Sequence, residues 1–173
     1  MNPEIVSHVV VDLVIFRNVK VDRNRTPLQV VEATGYTGKG IHFIADCSSM
    51  LRGEKEEVDV YFFPLRKYTG IDEIEKEYAL RGLTPDPYAQ CAIIEANPNF
   101  VDEHPNFSQW DVYEYDQTNY AGKKVGKSLG CSAIQFRLSC DCREVWVVGA
   151  HRGWNEGLWV CGVRNSDSSN PQT

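Results

Sequence analysis

The chain has 173 residues, 42% of them hydrophobic and 11% aromatic, with a formal net charge of −6. That is enough length and apolar material to bury a core, which excludes a disordered chain, and no apolar run is long enough to span a membrane. The charge is uneven: residues 1–53 carry six Lys/Arg against five Asp/Glu, residues 54–116 five against fifteen, and residues 117–173 seven against four. An acidic middle third argues against nucleic acid, whose binding rests on neutralised phosphates, and suits either a basic protein partner or a solvated surface.

The apolar stretch from Val9 to Phe16 is interrupted by Asp12, has no basic residues before it and is followed by Arg17. It does not read as a cleavable leader, so a cytoplasmic location with reduced thiols is expected. Ile5 to Val21 reads as strand, and its lack of clean alternation points to a central position. Thr26-Pro27-Leu28-Gln29 is a helix start with a capping box, the helix covering residues 27–34 and stopping at Gly35. Gly35 to Gly40 is glycine-rich with Lys39, but it leads into an expected strand (Ile41 to Asp46) and so lacks the helix that a phosphate loop needs.

Val58 to Leu65 alternates and then turns fully apolar, as a strand does, with Glu54, Glu56 and Glu57 before it to discourage edge pairing. Residues 71–81 form the clearest amphipathic helix, with Ile71, Ile74, Tyr78 and Leu80 on its apolar side and Gly82 as its stop. Asp86-Pro87 starts a third helix over residues 87–96, ended by Asn97-Pro98. A short turn from Asn99 to His104 follows, stopped by Pro105. Trp110 to Tyr115 alternates as a half-buried strand, and Gln117 to Gly130 reads as a polar, lysine-bearing loop. Ser132 to Leu138, Glu144 to Ala150 and Leu158 to Val163 read as three strands of an antiparallel meander, because their connections are too short for parallel crossovers.

The segment LRGLTPDPYAQCAIIEANPNFVDEHPN (Leu80 to Asn106) resembles one found in small uncharacterised bacterial or phage-type proteins. RTPLQVVEATG and VDVYFFPL look like parts of the same pattern. The resemblance covers roughly half the chain and implies a single folded unit. It carries no catalytic residue with it. Length and composition set one domain over residues 1–164 and a polar tail at 165–173.

Several stretches carry chemistry-bearing residues. Asp102-Glu103-His104, in the acidic middle segment, is a candidate contact for a protein partner and offers two carboxylates and an imidazole for a cation or a shared proton, although three adjacent residues cannot all face one ion without an unusual backbone. Cys131, Cys140, Cys142 and His151 are soft ligands that suit zinc, but the spacing supplies one C-x-C and no second knuckle. Ala121 to Ser128 matches a relaxed phosphate-loop pattern that leads into strand rather than helix. Arg152, Trp154 and Asn155 sit at a hairpin tip, where tryptophan and arginine suit a contact surface.

The expected fold is α+β: a mainly antiparallel sheet with about three short helices packed on one face and a C-terminal β-meander. The expected function is a non-enzymatic protein-interaction or accessory factor, acting through a protein partner or self-association with no cofactor. The competing expectation is a zinc-binding protein or small hydrolase built on the Cys/His group or on Asp102-Glu103-His104.

Overall fold

The computed structural model describes residues 12–39, 53 and 55–164. In chain order these form β1 (Val14–Asp22), α1 (Pro27–Ala33), β2 (Thr37–Lys39), β3 (Lys55–Pro64), α2 (Ile71–Arg81) and β4 (Leu83–Pro85). There follow α3 (Pro87–Ala96), α4 (Phe100–Glu103), β5 (Asn106–Thr118), β6 (Lys124–Ser139), β7 (Cys142–Ala150) and β8 (Trp159–Arg164). The expected strand at residues 41–46, the first part of the Ile5–Val21 run, Glu54, His8, His42 and the tail at 165–173 lie outside the described residues. Among the described residues no helix is long and apolar enough to cross a membrane.

The eight strands build one mixed, mostly antiparallel sheet in the order β1-β3-β8-β5-β6-β7-β2, with β4 on the free part of β8. Among the described residues β1 is outermost in it, not central as its apolar run suggests. Within the unalternating run Leu13 and Ile15 are apolar but 39% and 36% exposed, on the face away from Val14 and Phe16; further along, the parity of the apolar positions changes at a bulge. Asn18 sits at φ 55° and the register with β3 shifts between Phe16 and Val19. The extra residue inverts the alternation, so Val14 and Phe16 before it and Val19 and Val21 after it all face the same core.

The helix boundaries follow local chemistry. Thr26 Oγ1 accepts the Gln29 amide and Gln29 Oε1 accepts the Thr26 amide, closing the expected capping box of α1. Gly82 ends α2 in the left-handed conformation that glycine adopts at least cost. Asp86 caps α3 through the Ala89 amide at 2.9 Å.

Two features of the expected architecture are corrected. The helices do not share one face. Val60 and Phe62 of β3 pack with α1 and α3, whereas Tyr61 and Phe63 pack with α2 on the opposite side. A strand apolar on both faces needs cover on both. The meander, secondly, is β5-β6-β7, and β8 leaves it. β8 runs antiparallel to β3 and, at Trp159 and Val160, parallel to β5. Its residues from Val160 to Val163 are all buried, which suits a central strand, and the outer edge of β7 is taken by β2.

Where β8 passes from β5 to β4, the Tyr78 hydroxyl donates to the Cys161 carbonyl at 2.7 Å. The ring reaches it over Gly162, where a Cβ would lie 2.9 Å from the ring.

The β6–β7 turn is built from the wrong residues for its geometry. Cys140 (φ 48°) and Asp141 (φ 63°) both occupy the left-handed region between the paired Ser139 and Cys142. A two-residue turn with both central residues at positive φ favours Asn-Gly. Cys140→Asn with Asp141→Gly is therefore expected to raise stability by about 1 kcal/mol. A urea denaturation midpoint that does not move upward would contradict this turn geometry.

Candidate interaction site

Beyond Trp110 the sheet narrows to two strands. A bulge at Asp111 (φ 56°) shifts the β5–β6 register between Trp110 and Tyr113. From Tyr113 to Thr118 and from Lys124 to Gly130 the two strands pair only with each other among the described residues. The result is a twisted ribbon projecting roughly 20 Å from the sheet at the usual strand rise. Its turn is held by Asn119, whose Oδ1 accepts the amides of Ala121 and Lys123, each at 3.0 Å.

Opposite residues in a ribbon share a face, and the period of two separates the faces. One face is charged and internally paired: Lys127 meets Glu114 at 2.8 Å, and Lys124 meets Asp116. The other carries Tyr113, Tyr115 and Gln117 opposite Gly130, Ser128 and Gly126. His151, just past the end of β7, closes the base of this second face, its ring edge-on to Tyr115 at 4.7 Å and to Tyr113 at 6.2 Å. The two rings fit because Gly130 is bare. A Cβ there would lie 2.8 Å from the Tyr113 ring and 2.9 Å from His151 Nδ1. At the tip, Tyr120 is fully exposed.

This ribbon replaces the loop expected at Gln117 to Gly130. Its polar, lysine-rich composition hid an alternation that runs from Tyr113 and Tyr115 on one strand to Val125, Lys127 and Leu129 on the other. The phosphate-loop match at Ala121 to Ser128 lies in this turn and strand.

The residues singled out from sequence do not converge. Asp102 is held by the Arg143 guanidinium, which donates through Nε at 3.0 Å and Nη2 at 2.7 Å and also reaches Asn99. That pairing keeps the Asp102 carboxyl below its ordinary range. His104 stacks on Phe100 at 4.5 Å and meets Trp159 edge-on at 4.6 Å, with Nδ1 against the Phe100 carbonyl. Glu103 and His104 both line a groove of about 520 Å³ with Phe16, Pro98 and Phe100. Asp102 turns away from that groove to Arg143, so the three side chains do not meet at one point.

The Cys/His group is dispersed as well. Cys140 lies in the β6–β7 turn and Cys142 directly after it, while Cys131 and His151 lie at the far end of the same hairpin. Nine residues of β7 put roughly 30 Å between the two ends. Among the described residues no three His, Cys, Asp or Glu side chains are grouped to hold a metal ion. The buried thiols are also poor nucleophiles: burial pushes Cys131 up to about 12 and raises Cys91 and Cys161 as well. Alkylation of the native protein, mapped by mass spectrometry, is expected to label Cys140 and Cys142 and to spare Cys91, Cys131 and Cys161. Labelling of any of those three without denaturant would contradict their burial.

Trp154 is the sharpest correction. It was expected at an exposed hairpin tip, and it is 6% exposed. Its backbone forms a bridge with Thr69, its ring stacks on Phe107 at 4.0 Å, and its Nε1 donates to Gln109 Oε1 at 2.9 Å. Gln109 in turn donates to the Ile71 carbonyl and to Glu75, so its buried amide is satisfied. Gly153 makes the bridge possible, because a Cβ there would fall 2.2 Å from the Thr69 oxygen. Arg152 and Asn155, the neighbours of that pair, stay exposed.

Fold and site together define an α+β protein with a two-stranded aromatic arm. Comparison with protein-family models, with curated proteins and with solved structures gave no match.

Proposed function

We propose that the chain is a non-enzymatic protein-interaction or accessory factor, of the bacterial or phage type that its Leu80–Asn106 segment resembles. The arm is its contact surface. One observation carries this reading: Tyr113, Tyr115 and His151 line one face of a ribbon that no other described strand or helix covers, next to a strip with almost no side chains. Tyrosine supplies large contact area at low conformational cost and is enriched where proteins meet. Keeping the charged face paired within the arm prevents it from acting as an indiscriminate electrostatic surface. Among the described residues two thiols, Cys140 and Cys142, are exposed, which suits a reducing compartment and supports a cytoplasmic location.

Affinity enrichment from a cell extract tests this. The wild-type chain and a Tyr115→Ser/His151→Ser variant would be compared after circular dichroism has shown equal folding. A partner held by the wild type and lost by the variant is the expected result. Identical partner sets for both proteins would sink the proposal.

A further inference from the structure

Resting on that interaction reading, we infer that the partner which fits the arm is a second copy of this chain, packed antiparallel so that the tip of each arm meets the base of the other. Three features of the arm point there.

The first is shape. Each arm carries a protruding group and a receiving one. Tyr120 stands free at the tip, and at the base Tyr113, Tyr115 and His151 form an aromatic wall beside Ser128 and Gly126. A two-fold axis across the middle of two antiparallel arms would set each Tyr120 against the other wall, so both complementary contacts form at once. That is the self-matching geometry of a closed dimer, in which residue i meets j and j meets i. An aromatic pair in such a position favours edge-on or offset packing, which the bare strip at Gly126 and Ser128 leaves room for.

The second is charge. The arm contains Asp111, Glu114 and Asp116 against Lys123, Lys124 and Lys127, so it is locally neutral within a chain of net charge −6. Two copies can therefore approach arm to arm without the repulsion that other surfaces of an acidic chain would impose. The same neutrality removes the attraction a nucleic acid would need, since Lys124 and Lys127 already neutralise carboxylates of their own arm.

The third is size. From Asp111 to Gly130 the arm has about 20 residues, and a stable interface of ordinary size uses about 20–30 a side. With one of its two faces in contact the arm supplies about half of that, the scale of a weak association in the micromolar range rather than a permanent one.

Sedimentation equilibrium on the purified full chain from about 1 to about 100 µM tests the inference. The expected result is a monomer–dimer equilibrium in that range, weakened at least about tenfold by Tyr120→Ser, because the two-fold symmetry removes two aromatic contacts with one substitution. Tyr120 has no core to support, so this variant should fold and melt as the wild type does. A photoreactive phenylalanine analogue at position 120 should crosslink to residues 113–115 or 151 of the other copy. A chain that stays monomeric throughout, or a dimer whose constant Tyr120→Ser leaves within about twofold, overturns the inference. The two readings then separate. Monomer in which the position-120 probe captures a different protein in expressing cells overturns only the second copy. Monomer that captures no protein, or that instead retards a single-stranded oligonucleotide, overturns both.

Discussion

Trp154→Ala is expected to destabilise the protein by about 4 kcal/mol, the usual range for deleting a buried large aromatic side chain. The substitution removes the ring stacked on Phe107 and the Nε1 donor to Gln109 Oε1. It leaves a buried amide oxygen with only the Cys131 thiol nearby, at 3.7 Å. For a chain of this length the melting temperature should fall by about 10 °C. Trp154→Phe keeps much of the stacking area and loses only the donor, so it should cost about 1–2 kcal/mol. The experiment separates two roles for one residue. A tryptophan placed for a partner would weaken binding and leave the melt unchanged. A melt of Trp154→Ala that superimposes on the wild type would therefore refute the core position.

A loss of similar size is expected for Asp86→Ala. Arg23 and Asp86 are side chains with 9% and 3% exposure that meet in a bidentate pair, and Arg23 also bonds Glu56. Burial works against the guanidinium charge, and the hydrogen bonds to Asp86 and Glu56 more than offset it, so the Arg23 pKa lies above its ordinary value. Asp86 is at the same time the cap of α3. Removing it leaves a buried cation short of its main partner and frees a helix amide, about 3–5 kcal/mol for the first and about 1 kcal/mol for the second.

Asp86→Asn retains the cap and should cost less. Adding Arg23→Met to Asp86→Asn should recover part of that loss, because the uncompensated charge goes with it. Urea denaturation of the wild type, Asp86→Asn, Arg23→Met and the double variant gives the coupling directly. Effects that add within about 0.5 kcal/mol would show that the two side chains do not act as a pair.

The pair also explains why the Asp86-Pro87 stretch matters beyond starting a helix. Arg23 follows directly on β1, and Asp86 begins α3, which packs on β1, β3 and β8. The contact fixes how α3 lies across the N-terminal part of the sheet. Tyr36 does the same from the other side, its hydroxyl donating to the Pro98 carbonyl at 2.6 Å while burial pushes the phenol up to about 12.

What could be read without coordinates was local. Thr26-Pro27-Leu28-Gln29, Gly70 to Gly82 and Asp86-Pro87 each carry the start or stop chemistry of a helix within a few residues, and the three helices form where that chemistry places them. The α+β class and the dominance of antiparallel pairing follow from apolar strands joined by short connections. The choices between partners were not local. Trp159 to Val163 could have paired beside β7 by connection length alone, and burial on both faces carried it to the middle of the sheet instead. Phe62 and Phe63 point to opposite cores, a division visible only once helices cover both faces.

The candidate site shows the same limit. Tyr113 and Tyr115 were legible as strand residues, but their exposure depends on where β7 and β8 stop, and His151 joins them only through the β6–β7 register. Trp154 was misjudged for the matching reason. Side-chain chemistry was plain in the sequence, and whether that chemistry faces water, a core or a neighbouring arginine was decided by contacts between segments far apart in the chain.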